Sequence, residues 1–214
     1  MREAVIFDFD GTLADTLEAG HRIFNRLAPE FGLRRIETEE IPDLRHLKLR
    51  EILKTLEIKK RYLPTLLRRG KSLLREELHS LKPCPGVFEQ LEKMRSVSRH
   101  LGILTSNSVE NVEIFLNRHE VRGHFDFIAS CRKLQGKAKY LKSIARTYSM
   151  KPEAMLYVGD EVRDVKASKK AGVPMIAVTW GFNSEQALRE SRPDWMVDDA
   201  EALGQLVVCP DEAH

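Results

Sequence analysis

Asp8 and Asp10 stand two residues apart at the end of an apolar run, and Gly11 follows them; Asp160 and Asp164 recur four residues apart behind Gly159. Between these pairs lie Ser106-Asn107, after the apolar stretch 101–105, and Lys137, after Gly136. Carboxylates can act as acids, bases, nucleophiles and ligands of hard cations. Four of them in one cleft could not all ionise without a counter-charge. A divalent cation supplies one, and Mg²⁺ suits a site of a few carboxylates and a substrate phosphate. Taken singly, each residue also has a plainer use: Asp in turns, Ser, Asn and Asp as helix caps, Lys on a surface.

The elements that must position these residues alternate between strand and helix. Residues 4–7 are β-branched and aromatic, as in a strand buried on both faces. Strands are also expected at 101–105, 125–129, 154–158 and 174–179, with a late edge strand at 194–197. Helices are expected at 87–94, 109–116, 138–148 and 162–171, and a last helix or strand at 200–208. Such alternation with short connections predicts a parallel sheet covered on both faces, a three-layer α/β/α Rossmann-like core. Asp8, Ser106 and Asp160 then all follow the carboxyl ends of strands, where open α/β sheets bind ligands. On a helix opening near Glu161, positions 160 and 164 share one face.

Residues 16–83 show no strand-like alternation. Their leucines keep helical spacing, so a small inserted helical cap is expected there, with the core formed by 1–15 and 84–214. Pro83-Cys84-Pro85-Gly86 marks the return, and 14–16 with 83–86 are the expected hinges. Arg45, His46 and Lys48 are read in a turn before a cap helix, with Arg45 and Lys48 as contacts for a remote anionic group of a substrate. The basic residues Lys59, Lys60, Arg61, Arg68, Arg69 and Lys71 are read as a solvated helix face. Trp180-Gly181-Phe182 is read as a packed turn near the rim of the cleft.

Asp8-Phe9-Asp10-Gly11-Thr12-Leu13, Leu104-Thr105-Ser106-Asn107, Lys137 and Gly159-Asp160-x-x-x-Asp164 resemble, in order, the four motifs of the haloacid dehalogenase superfamily. The insertion after the first motif resembles the cap of its phosphoglycolate phosphatase-like branch. The resemblance implies a Mg²⁺-dependent phosphatase for a small organic phosphate monoester. Asp8 would be the nucleophile that forms an aspartyl-phosphate, and Asp10 the general acid and base. Ser106 would donate to a phosphoryl oxygen, helped by amides near Asn107 and Ser108, with Asn107 and Thr12 grouped as substrate-binding. Lys137 would neutralise charge. The metal would be held by Asp8, the Asp10 carbonyl and Asp160, with Asp164 or Glu161 in outer contact. The branch commonly has proline after the motif-three lysine; here Gly136-Lys137-Ala138-Lys139 offers two lysines, and Lys137 is favoured because it opens the helix. A phosphomutase of the same superfamily is the nearest alternative, and a non-catalytic anion- or RNA-binding protein using the basic cap is the alternative from another class.

Composition bounds the rest. A chain of 214 residues with 42% hydrophobic and 31% charged residues fits one α/β core with an insertion. A net charge of +3 is too mild to demand a nucleic-acid partner. The three cysteines are far apart without metal-type spacing. No leader or membrane span is read at the N-terminus, so a cytoplasmic protein is expected, either a monomer or a homodimer.

Overall fold

The computed structural model describes residues 2–47, 49–131 and 136–209. Lys48, expected to touch substrate, lies outside them. Six parallel strands form one sheet: β1 (Arg2–Phe7), β2 (Ser98–Thr105), β3 (Phe127–Ser130), β4 (Met155–Gly159), β5 (Met175–Val178) and β6 (Trp195–Val197). Their order is β3-β2-β1-β4-β5-β6. At the centre, Phe7 pairs with Ile103 of β2 on one side and Val158 of β4 on the other. The chain runs outward from β1 to β2 and β3, then returns to β4 on the opposite side. The carboxyl end of β1 is therefore the switch point where the two halves of the sheet diverge, which leaves a crevice there.

Strand alternation sends each strand's side chains to both faces, and both are apolar. Val5 and Phe7 join a cluster with Leu91 and Met94 of α5 (Leu91–Val97), Phe115 of α6 (Val109–Arg118) and Leu203 of α10 (Ala200–Val208). Ala4 and Ile6 face Leu141 of α7 (Lys137–Thr147), Val165 of α8 (Val162–Ala171) and Leu188 of α9 (Glu185–Ser191). These two layers sandwich the sheet, as expected.

Local structure departs from the sequence expectation in two places, α9 and residues 45–46, and decides between the alternatives at a third. α9 was not foreseen: it is two turns long and buries one large apolar residue, Leu188, too short a pattern to declare a period. The 200–208 stretch is a helix, capped by the Asp199 carboxylate, which accepts from the Ala202 amide. Arg45 and His46 lie in no turn; they end α2 (Ile41–His46), where Pro42 occupies the first helical turn, a position that proline tolerates.

The intervening segment holds α1 (Leu17–Leu27), α2, α3 (Leu49–Thr55) and α4 (Leu63–Glu77). It has its own apolar cluster, built on Ile23, Leu27, Leu56, Ile58, Leu66 and Leu73. The two stretches that join it to the sheet run antiparallel and bond to each other: Asp15 donates its amide to Lys82 and Cys84 donates to Leu13, each at 2.9 Å. No helix among the described residues is long and apolar enough to cross a membrane.

Candidate active site

Asp8 follows β1 directly, and its amide still continues the sheet by donating to Val158 at 2.8 Å. The chain then folds back at once. Leu13 and Ala14 donate to the Phe9 carbonyl at 2.9 and 3.0 Å, and Gly11 donates to Ala14 at 2.9 Å. Gly11 has φ +77°, and a Cβ there would come within 2.4 Å of Asp160 Oδ2, so both conformation and space require glycine. The loop brings Thr12 under the neighbouring strand end, where its hydroxyl donates to Asp160 Oδ1 at 2.8 Å. Thr12 is completely buried. Its contact is with Asp160, not with the cleft, which corrects its grouping with the substrate-binding residues.

Asp160 receives a second anchor from the turn after β5. The Phe182 amide donates to its Oδ2 at 2.7 Å, and Gly181 packs so closely that a Cβ there would lie 2.2 Å from the same oxygen. Sequence reasoning placed Trp180-Gly181-Phe182 at the rim but missed this grip on Asp160. A glycine-containing turn directly after a strand was the available signal. Asp164 lies in the first turn of α8, and Glu161 is the N-cap. Their side chains form a capping box in which Glu161 donates its amide to Asp164 Oδ2 at 3.3 Å.

Asp8, Asp160 and Asp164 thereby converge, each offering an oxygen within 4.8 Å of the others. Their exposures are 2%, 0% and 0%. Lys137, at the start of α7 and also buried, donates to Asp8 and, at 2.6 Å, to Asp164. Lys139 is exposed on the same helix, so Lys137 is the lysine brought to the acids. Tyr157, which sequence reasoning missed, lies beneath them: its hydroxyl is 3.5 Å from Asp164 Oδ1 and its ring 5.5 Å from Lys137 Nζ.

Asp10 is separate from the cluster. Asn107 Nδ2 donates to its two oxygens at 3.2 and 3.4 Å. Asn107 Oδ1 in turn accepts from Asn111 Nδ2 at 3.0 Å and from the Ser108 amide at 2.9 Å. The Asn107 amide donates to Thr105 Oγ1 at 2.9 Å. Both amides expected to help bind a phosphoryl group donate to side-chain oxygens, and the Asn107 side chain, grouped from sequence with the substrate-binding residues, donates to Asp10. The Asn107–Asn111 link went unforeseen, although i and i+4 on a helix start was the available signal. Ser106 stands at this same strand end, partly exposed.

Electrostatics divide the acids. Burial, reinforced by Asp164 and opposed by Lys137, pushes Asp8 up to about 7. Burial, then Asp8, Glu161 and Asp164, raises Asp160 well above the carboxylate range. Burial also raises Asp10, against the Asn107 hydrogen bond and the charges of Lys137, Arg163 and Lys71. For Lys137, burial is outweighed by Asp164 and Asp8, which hold the ammonium charged. Three buried carboxylates sharing one cation are thus short of positive charge. A hard divalent ion fits that donor set.

Side chains of the helical segment meet the core on two flanks of this cleft. Arg45 Nη2 donates to the carbonyls of Thr179 at 2.7 Å and Asn183 at 3.4 Å, while the Arg45 carbonyl accepts from the Ser184 amide at 3.0 Å. On the other flank, Lys71 Nζ donates to the Ser106 carbonyl at 3.4 Å. Lys71 is exposed, in keeping with its reading as part of a solvated face, yet it also reaches this strand end, while its neighbour Arg75 pairs with Glu110 at 2.5 Å.

The chain is similar to known proteins over nearly its whole length. The profile of the haloacid dehalogenase-like hydrolases matches residues 5–178. The chain is 38% identical over 205 residues to a phosphoglycolate phosphatase of Synechococcus elongatus, covering 96% of this chain and 97% of that one. Among solved structures, a haloacid dehalogenase-like family hydrolase from Streptococcus pneumoniae has TM-score 0.81 at 22% identity, over 94% of this chain and 96% of that one. CbbY from Rhodobacter sphaeroides, solved with phosphate, has TM-score 0.72 at 23% identity, over 95% and 97%. At those identities the two structures speak to the fold, and the sequence matches speak to the family. The protein belongs to the haloacid dehalogenase-like hydrolases, as a phosphatase on their phosphoglycolate phosphatase-like branch.

Proposed function

We propose that this phosphatase hydrolyses a small organic phosphate monoester, phosphoglycolate or a close analogue, through a phosphorylated Asp8 and with Mg²⁺ as cofactor. The observation that carries the reading is the division of labour between two neighbouring acids: Asp8 faces Lys137, Asp160 and Asp164, while Asp10 is held apart by Asn107. The name of the Synechococcus relative supports the choice of ester.

In the first half-reaction an Asp8 oxygen attacks phosphorus and the bond to the ester oxygen breaks. Asp10 gives its proton to the departing oxygen, so the alcohol leaves neutral. Its raised pKa suits that task, because it holds a proton nearer to neutral pH than an ordinary Asp would. In the second half-reaction Asp10, now ionised, takes a proton from a water that attacks phosphorus. The bond to Asp8 breaks, and phosphate departs. Lys137 opposes the rise that burial imposes on Asp8, favouring its ionised form, and offsets charge on the phosphoryl oxygens. Asp8, Asp160 and Asp164, with the Asp10 carbonyl, would hold Mg²⁺, which when bound supplies positive charge to the carboxylates and the phosphoryl group alike. Ser106 would donate to a phosphoryl oxygen.

Residues 16–83 act in this reading as a cap over the core of 1–15 and 84–214, with the paired stretches at 14–16 and 83–86 as hinge. A closed cap excludes bulk water while Asp8 is phosphorylated. Arg45 serves that closure, since its Nη2 is committed to core carbonyls. Asp8→Asn is expected to reduce Mg²⁺-dependent phosphate release by a factor of about 10³ or more. Borohydride trapping followed by peptide mass spectrometry should mark Asp8 in the native enzyme. Near-native turnover in Asp8→Asn would refute the nucleophile, and release of an isomerised sugar phosphate in place of inorganic phosphate would point to a mutase.

A further inference from the structure

Four cations approach the acids of this site, and three of them have short partners. Lys137 is bonded to Asp8 and Asp164. Arg163 donates to Glu161 at 2.5 Å. Arg45 donates to the Thr179 carbonyl at 2.7 Å. Lys71 differs: among the described residues its ammonium meets one acceptor, the Ser106 carbonyl at 3.4 Å, the outer limit of a hydrogen bond. An ammonium has three donors, and on the exposed Lys71 the others face solvent rather than a fixed protein partner. Its placement follows from the helix. Leu66 and Leu73 of α4 are buried in the segment's own cluster, and Lys71, two positions before Leu73, comes round to the opposite side. Arg75, one turn on, shares that side and pairs with Glu110 at the start of α6. Leu74 packs against the core cluster and Leu78, just past the helix, is buried in it, so α4 lies along the core with Lys71 near the end of β2.

Lys71 also stands on a particular side of the chemistry. Ser106, whose carbonyl it meets, directly precedes Asn107, the residue whose side chain donates to both oxygens of Asp10. In the proposed reaction Asp10 protonates the ester oxygen, so the carbon bonded to that oxygen lies next to Asp10. A group one carbon further on reaches the flank that Lys71 occupies. We propose that Lys71 is the specificity residue of this site: it exchanges the Ser106 carbonyl for a carboxylate carried on the carbon next to the ester oxygen, and thereby selects phosphate monoesters of short 2-hydroxy acids. The inference rests on the phosphatase reading above and adds to it the residue that reads the leaving group. An ion pair of this kind forms equally in the ground state and the transition state, so its loss falls on KM more than on kcat.

The test compares two esters that differ only in charge beside the ester, phosphoglycolate and phosphoglycolamide, in native enzyme and in Lys71→Ala, Lys71→Glu and Lys71→Arg, with Mg²⁺ present throughout. Native enzyme should prefer the acid. In Lys71→Ala the ratio of kcat/KM for acid over amide should drop about 10- to 100-fold, mainly through KM, as expected for one charge-assisted hydrogen bond. Lys71→Glu should lower the ratio further, and Lys71→Arg should retain most of it. An unchanged ratio in Lys71→Ala, or a native enzyme without preference for the acid, overturns the inference. Hydrolysis of p-nitrophenyl phosphate by native enzyme separates the two levels: if it persists, the phosphatase reading stands without Lys71, and if no ester is hydrolysed, both fall.

Discussion

Asp160 shows how one carboxylate is held at this site. Thr12 donates to one oxygen and the Phe182 amide to the other, which fixes the plane of the carboxylate from two separate loops. Supporting contacts of this kind around a metal-binding carboxylate are worth about 10–100-fold in metal affinity. Thr12→Val keeps the volume and removes the donor, so it should raise the Mg²⁺ concentration for half-maximal turnover by about that factor, with a smaller effect on the rate at saturating Mg²⁺. A Mg²⁺ titration of the variant checks this; an unchanged midpoint would leave Thr12 as packing alone. Asp10→Asn belongs at the same scale. It preserves the Asn107 neighbourhood but abolishes proton transfer, and a loss of about 10²–10⁴ in kcat is expected. An aryl phosphate with a good leaving group needs less protonation, so its loss in the first half-reaction should be smaller. Comparing alkyl and aryl esters in single-turnover experiments would show the difference.

Elements act by bringing these residues into register. β1 delivers Asp8 between the ends of β2 and β4, and the loops after β1 and β5 close on Asp160 from either side through Gly11 and Gly181. Neither position has room for a side chain. In Gly181→Ala the new Cβ would lie 2.3 Å from Asp160 Cβ and 2.2 Å from its Oδ2, so the turn must shift. A displacement near 1 Å at such a site can cost about 10²-fold in rate. The expected result is a large loss of turnover with unaltered far-UV circular dichroism. Turnover near the native rate would show that the turn absorbs the methyl group without moving Asp160.

At the scale of the whole molecule, burying the acids makes stability depend on pH, and with Mg²⁺ as the proposed cofactor it is expected to depend on metal as well. Asp8 is pushed up to about 7 and Asp160 is raised well above its ordinary value, against about 3.9 for Asp in an unfolded chain. Between those values the folded protein binds more protons than the unfolded one, so these groups lower stability as pH rises from about 4 to 7. Lys137 is also raised, but its contribution is constant in this window because the ammonium stays charged in both states. Mg²⁺ favours the ionised carboxylates, so the gain in Tm on adding it to chelator-treated protein should be greater at pH 8 than at pH 5. At 100 times Kd the gain is about 2.7 kcal/mol, or roughly 5–10 °C for a chain of this size. Equal gains at the two pH values would contradict the linkage. Taking the difference with and without Mg²⁺ removes surface carboxylates such as Glu40, which Arg34 holds down to about 2 in both states. The sequence by itself determined the sheet and the identity of the acids, because buried strands and strand-end motifs are written in local patterns: 4–7 and 101–105 lie within observed strands, 154–158 matches β4 in all but its first residue, and Asp8, Lys137, Asp160 and Asp164 do meet. It could not reveal that Thr12 and Asn107 hold other side chains, that Phe182 grips Asp160, or that Lys71 alone of its basic run turns toward Ser106. Those are contacts between residues 22 to 148 positions apart. Only the packing of loops from different strands, and of α4 against the core, brings such distant atoms within reach.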